Sequence, residues 1–181
     1  MRPVLLASLL LSLTGLPSLA NEASVLQIGS VNTAFQGQVG SNEASVLQIG
    51  SSNAALQGQI GRNSGLIHQA GIGNTAVQAQ AGARNIAYSL QVGAGNLSVT
   101  SQQGDGNVSA TTQLGKGNAA VTGQSGAYNS TSVLQTGNEF VLVLQKGALN
   151  RLTPDQIPNG PAIVIQKGLH AEPTVIPLKR R

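Results

Sequence analysis

NEASVLQIGS, residues Asn21–Ser30, returns unchanged at Asn42–Ser51. The likeness runs past the ten residues: NEASVLQIGSVNTAFQGQVGS and NEASVLQIGSSNAALQGQIGR agree at 16 of 21 positions. A globular domain seldom needs one decapeptide twice, but a chain that stacks equivalent turns needs it at each turn. A period near 21 therefore points to a solenoid. Further along, a Gln stands two residues before a Gly at 27, 38, 48, 59, 69, 80, 91, 102, 113, 124, 135, 145 and 166. Neighbours are 10 or 11 apart except for one gap of 21, into which Gln156 falls. An Asn lies six before the Gln in most copies and recurs at Asn150, so the unit is N-x5-Q-x-G-x-x. Gln/Asn-rich disorder has no cause to hold such a register, so the periodicity selects an ordered β architecture.

An offset of six is even, so in an extended strand Asn and Gln point to the same face. Positions two and four after the Asn share it and hold small or medium residues, as in Ala44/Val46, Ala76/Gln78 and Ser98/Thr100. That suits a thin interior. The Q-x-G-x-x stretch places Gly where the chain turns. Each unit is then a short strand and an arc, and two units bring the chain back above its start. The expectation is an all-β solenoid with two short strands per rung, about seven rungs and ~34 Å tall at ~4.8 Å per strand.

Buried amides are costly when unpaired, roughly 1–3 kcal/mol each. Stacked on identical amides, they donate to one neighbour and accept from the other. The expected ladder comprises Asn21, Gln27, Asn32, Gln38, Asn42, Gln48, Asn53, Gln59, Asn63, Gln69 and Asn74. It continues through Gln80, Asn85, Gln91, Asn96, Gln102, Asn107, Gln113, Asn118, Gln124, Asn129 and Gln135. It can fail only at its two ends.

Composition agrees with a thin interior. The 181 residues contain no Cys and only Phe35, Tyr88, Tyr128 and Phe140 as aromatics, so neither disulfides nor large rings can build the core. The opening MRPVLLASLLLSLTGLPSLA has a basic n-region, an apolar run at Val4–Leu13 and a small-x-small site at Ser18–Ala20. That is the pattern of a secretory signal peptide over residues 1–20, and the apolar run is shorter than a membrane span. The repeat body is expected over 21–147, followed at 148–181 by a degenerate repeat, AIVIQKG, and a basic tail with several prolines.

The pattern N-x-A-x-x-x-Q-x-G-x-x-N-x-A-x-x-x-Q resembles the curlin repeat of curli, the bacterial extracellular amyloid. NTAFQGQVG from Asn32, NTAVQAQAG from Asn74 and NIAYSLQVGAGN from Asn85 carry the likeness, which covers Asn21 to about Gly147. The resemblance implies a secreted subunit that polymerises end to end into fibres at the bacterial cell surface, for biofilm matrix and cell adhesion. It also implies stacking on itself and on a second curlin subunit, and outer-membrane export and accessory proteins as partners. Curlins usually carry a non-repeat leader, whereas here the repeat begins directly after Ala20. The basic ending resembles the minor, nucleating curlin.

Charge divides unevenly. Residues 21–145 carry three Lys or Arg and four Asp or Glu, a net of 3 − 4 = −1, and residues 146–181 carry six and two, a net of 6 − 2 = +4. A nearly neutral body can stack without self-repulsion. Lys167, Lys179, Arg180 and Arg181 form either a contact for an anionic cell surface or a solubilising end. Prolines 154, 158, 161, 173 and 177 suit a blunted sheet edge, and Asn21–Gln27 has no such device. Asp105 and Lys116 fall at arcs, as turn residues or as gatekeepers against aggregation. His68 and His170 have no Asp or Cys at useful spacing, and the G-x-G triplets recur with the repeat. No catalytic set, cofactor, metal site or nucleic-acid partner is expected. Apart from a polymerising subunit, the pattern also suits a monomeric solenoid adhesin or surface-binding module. The outward Leu47, Leu56, Leu66, Tyr88, Leu90, Val99 and Leu142 form no continuous Thr or aromatic stripe for such a module, and apolar outer residues suit lateral association.

Overall fold

A computed structural model describes residues 21–157 and 160–178. Residues 1–20, Pro158 and the tail residues Lys179, Arg180 and Arg181 lie outside the described residues, and with them the signal-peptide reading and three of the four tail charges. The strands are β1 (Glu22–Ser30), β2 (Thr33–Gly40), β3 (Glu43–Ser51), β4 (Ala54–Ile72), β5 (Thr75–Ala94), β6 (Leu97–Asp105) and β7 (Val108–Lys116). They continue with β8 (Ala119–Ala127), β9 (Ser130–Gln135), β10 (Phe140–Ala148), β11 (Arg151–Leu152), β12 (Ala162–Leu169) and β13 (Thr174–Pro177).

These strands wind into a parallel β-solenoid of about seven turns with two columns. The first column stacks β1, β3, the second halves of β4 and β5, then β7, β9 and β11. The second stacks β2, the first halves of β4 and β5, then β6, β8, β10 and β12. Register follows the sequence period residue for residue. The two copies of NEASVLQIGS lie directly on one another, with Glu22 on Glu43, Val25 on Val46 and Gln27 on Gln48. One residue is inserted where the turn lengthens: Asn63 pairs with Asn85 while Arg62 pairs with Ala83. The extra residue, Arg84, adopts a left-handed φ of 58° at the corner and keeps its side chain outside.

Side-chain alternation builds the interior. In β6, Ser98, Thr100 and Gln102 are buried while their neighbours face out. The expected interior positions two and four after each Asn are inside, as Ala44, Val46, Ala55, Ile67, Ala76 and Ala87 show. The Gly two after each Gln bends the strand. Gly82 has φ of +116°, and a Cβ there would lie 2.0 Å from the Gly104 carbonyl oxygen of the next turn. Both the backbone conformation and the rung spacing exclude a side chain at that site.

Along the stack the interior changes character. Val46, Ala55, Ile67 and Ala76 form an apolar cluster near the N-terminal end. Ala120, Val133, Val141, Val143, Leu152 and Val164 form a second near the C-terminal end. Between them Ser89, Ser98, Thr100, Ser109, Thr111 and Thr122 are buried. Stacking continues past residue 147, because β12 pairs with β10 from Val141 on Ala162 to Ala148 on Leu169. The tail from 148 is thus partly a regular rung, and Lys167 stands on Lys146.

Candidate functional site

Each column carries one Gln and one Asn ladder; the second-column Gln ladder reaches Gln166 and the first-column Asn ladder Asn150, while the second-column Asn ladder ends at Asn118, whose Oδ1 accepts from the Glu139 backbone N. In the second column Gln38, Gln59, Gln80, Gln102, Gln124, Gln145 and Gln166 each donate from Nε2 to the Oε1 of the next, at 2.6–2.9 Å. In the first, Gln27, Gln48, Gln69, Gln91, Gln113 and Gln135 do the same at 2.6–2.8 Å. The second Nε2 hydrogen crosses the interior to a backbone carbonyl of the opposite column, as from Gln59 to Glu43 and from Gln48 to Thr33. Each Gln therefore ties turns together vertically and columns together horizontally. That is why a thin interior with few large side chains holds.

The Asn ladders run the other way. Asn42 donates from both its backbone N and its Nδ2 to Asn21 Oδ1, and the pattern repeats up to Asn150 on Asn129. The second column carries the same arrangement from Asn53 on Asn32 to Asn118 on Asn96. Gln NH₂ groups thus point to the C-terminal end of the stack, whereas each Asn Oδ1 faces that end and Asn Nδ2 bridges both sides, as Asn53 does between Asn32 Oδ1 and the Gly71 carbonyl. All the expected ladder residues come together in this way, and those from Asn42 to Gln135 are buried. Gln145, Asn150 and Gln166 extend the ladders beyond the expected stretch. A shorter ladder within the second column was not anticipated: Gln36 donates to Gln57 Oε1 at 3.1 Å, Gln57 to Gln78 at 3.0 Å, and Gln78 to Ser89 Oγ at 3.1 Å. Gly65 leaves room for it, since a Cβ there would lie 2.0 Å from Gln57 Nε2.

The two ends of the stack differ. At the C-terminal end the outward groups are consumed by the chain itself. Ala171 stands 21 residues after Asn150, in the place of the next Asn, and its backbone N donates to Asn150 Oδ1 at 2.8 Å. Gln166 Nε2 donates to the Ala171 carbonyl at 2.9 Å and the Arg151 carbonyl at 2.8 Å. In the first column the Gln ladder stops at Gln135, which donates to the Glu139 carbonyl at 2.9 Å. Gln156 leaves the register, because it sits in a short 3-10 turn, Pro154–Gln156, where its Oε1 accepts from the Thr153 backbone N. Finally β13 lies antiparallel on β12, placing Val175 opposite Val164 at the end of the apolar cluster.

At the N-terminal end β1 pairs with β3 and β2 with β4, and no further strand joins them among the described residues. Asn21 is exposed and Gln27, Asn32 and Gln38 are half-buried. Gln36 is the exception on this rung, only 9% exposed. Its Oε1 is a buried acceptor without a partner.

Outside the solenoid, Arg84 pairs with Asp105 of the next turn and also donates to Tyr128 Oη of the turn beyond. Hydrogen bonding to Arg84 holds the Asp105 carboxyl below its ordinary value and raises the guanidinium. Asp105 is thus a corner ion-pair partner, a role the repeat pattern did not disclose. His68 is half-buried on the outward face of β4, and His170 sits exposed at a corner with φ of 48°. Exposed Leu26, Ile28, Val39, Leu56, Ile60 and Leu134 put apolar side chains on both outer faces. No family model, no curated protein and no solved structure matches this chain.

Proposed function

We propose that this chain is a secreted structural subunit of curli-type extracellular amyloid fibres, which assembles by end-to-end stacking of solenoid rungs and serves biofilm matrix and cell adhesion. One observation carries the reading. The outermost strand among the described residues, Glu22–Ser30, stacks in full register on an identical strand of the next turn. An equivalent rung arriving from outside would meet the same backbone spacing, the same Gln and Asn positions and the same apolar residues. The apolar outer faces support lateral association of such stacks. The basic C-terminal end and the closed C-terminal face favour the nucleating, surface-attached member of the class over the bulk subunit.

The partners on this reading are other copies of the chain, a second curlin subunit, the curli-type export and accessory proteins of the outer membrane, and the anionic cell surface. Cross-β fibre diffraction and seeding kinetics on the exported form, residues 21–181, test it. The expected result is a 4.7–4.8 Å meridional reflection and a lag phase shortened by seeds of this chain or of the second subunit. A protein that stays monomeric at high concentration, neither forming fibres nor shortening the lag of a partner, would refute polymerisation and leave a monomeric binding module.

A further inference from the structure

The orphaned Gln36 oxygen and the valine at the opposite end of the stack do not match each other. Residues equivalent to Gln36 in the second column run Gln57, Gln78, Thr100, Thr122, Val143 and Val164. Within the stack, Oε1 of Gln57 accepts from Gln36 and Oε1 of Gln78 accepts from Gln57. The same oxygen of Gln36 points to the N-terminal end, is nine-tenths buried and has no donor. A rung arriving there satisfies it only by bringing a hydrogen-bond donor at this position, and within the stack that donor is a Gln NH₂. The C-terminal rung of this chain offers Val164, which is apolar and already covered by Val175 of β13. Copies stacked head to tail would therefore leave the acceptor buried against a methyl surface.

We propose that Gln36 is the specificity residue of the N-terminal docking surface, and that the partner this surface fits is a different chain of the same repeat. Its last rung carries Gln in the fourth position of the second-column strand and is not closed by a β13-like cap. The inference rests on the stacking reading above and orders its partners: the second subunit docks in preference to another copy. Ladder polarity adds direction. The outward Gln carbonyls of this rung accept from NH₂ groups, which point to the C-terminal end of any solenoid built this way, so the partner docks by its C-terminal end. The cap imitates that contact, with the Ala171 carbonyl taking the donor of Gln166 and the Ala171 N serving Asn150.

A four-variant cycle tests the match. All four lack residues 171–181 and so expose the C-terminal rung; they carry Gln36 or Gln36→Val together with Val164 or Val164→Gln. Fibre elongation from preformed seeds is measured for each, with circular dichroism confirming the fold. The matched pairs, Gln36 with Val164→Gln and Gln36→Val with Val164, should elongate about tenfold faster than the mismatched pairs. Elongation rates that change independently at the two positions would overturn the inference while leaving stacking intact. If no uncapped variant elongates, stacking itself falls and the inference with it. Should Val164→Gln prevent folding, full-length protein and its Gln36→Val variant are titrated with a synthetic peptide of residues 53–73, which holds Gln57 at the matching position, and with its Gln57→Val form. Gln36 must then prefer the Gln peptide about tenfold; equal affinity refutes it.

Discussion

Replacing Gln102 by Leu keeps roughly the side-chain volume while removing one rung of amide from the centre of a ladder. Gln102 is 1% exposed; it accepts from Gln80 at 2.8 Å and donates to Gln124 at 2.8 Å and to the Ile86 carbonyl at 2.9 Å. The substitution strips Gln124 Oε1 of its ladder donor and leaves Gln80 Nε2 with only its bond to the Ser64 carbonyl. Two buried side-chain groups lose a partner, each at about 1–3 kcal/mol, the Ile86 carbonyl loses its side-chain donor as well, and the added apolar burial of Leu offsets about 1–2 kcal/mol. The expected net loss is about 2–4 kcal/mol. At the first rung the same change, Gln38→Leu, removes bonds to Gln59 and to the Glu22 carbonyl, but that rung is half open to water. Water replaces the bond to the Glu22 carbonyl there, and only Gln59 Oε1, on a residue 1% exposed, loses a buried donor, so the loss should be about 1 kcal/mol. Urea unfolding of residues 21–181 followed by circular dichroism measures both, with hydrogen exchange across β5, β6 and β8 reporting local opening, since stacked repeats need not unfold as one unit. Equal losses at the two positions, or a neutral Gln102→Leu, would refute the view that a ladder amide is costly in proportion to its buried neighbours.

Four further outcomes follow from the geometry. Gly82→Ala should cost more than about 4 kcal/mol, because it combines a left-handed backbone with a clash on the Gly104 carbonyl. Gly58→Ala, with no atom within 4 Å of its Cβ, should be neutral or gain up to about 1 kcal/mol; thermal melts distinguish the two. Thr122→Val should stabilise the fold by about 1–2 kcal/mol, since Thr122 Oγ1 is buried without a partner beside the Val133 and Val143 cluster. A loss on removing that hydroxyl would show it to be bonded. Asp105 titrates below its ordinary value of 3.8 because it is hydrogen-bonded to Arg84. The stability it contributes is present above that value and is lost as pH falls through the lowered one. The melting temperatures of the wild type and Asp105→Asn should therefore differ at pH 7 and converge in strong acid, and a difference that persists there would contradict the pairing.

The sequence alone determined the pitch, the two strands per turn and the inward face. Side-chain alternation is a local property of the strand, and a repeat that keeps Asn and Gln six apart returns both to the same wall on every turn. The interior positions held by Ala44, Val46, Ala76 and Ser98 were legible for the same reason. What lies on top of a given rung is not local, and there only the tertiary structure decided. Asn150 and Gln166 joined the ladders while Gln156, at the same spacing, was drawn aside by the turn beginning at Pro154. Ala171 took an Asn position without an amide side chain, and its backbone closed the end. The repeat could not reveal which way each amide points, because an Asn or Gln reads the same in either orientation until its neighbours above and below are in place. That orientation made the two ends chemically different and left one buried oxygen of Gln36 facing outward along the stack.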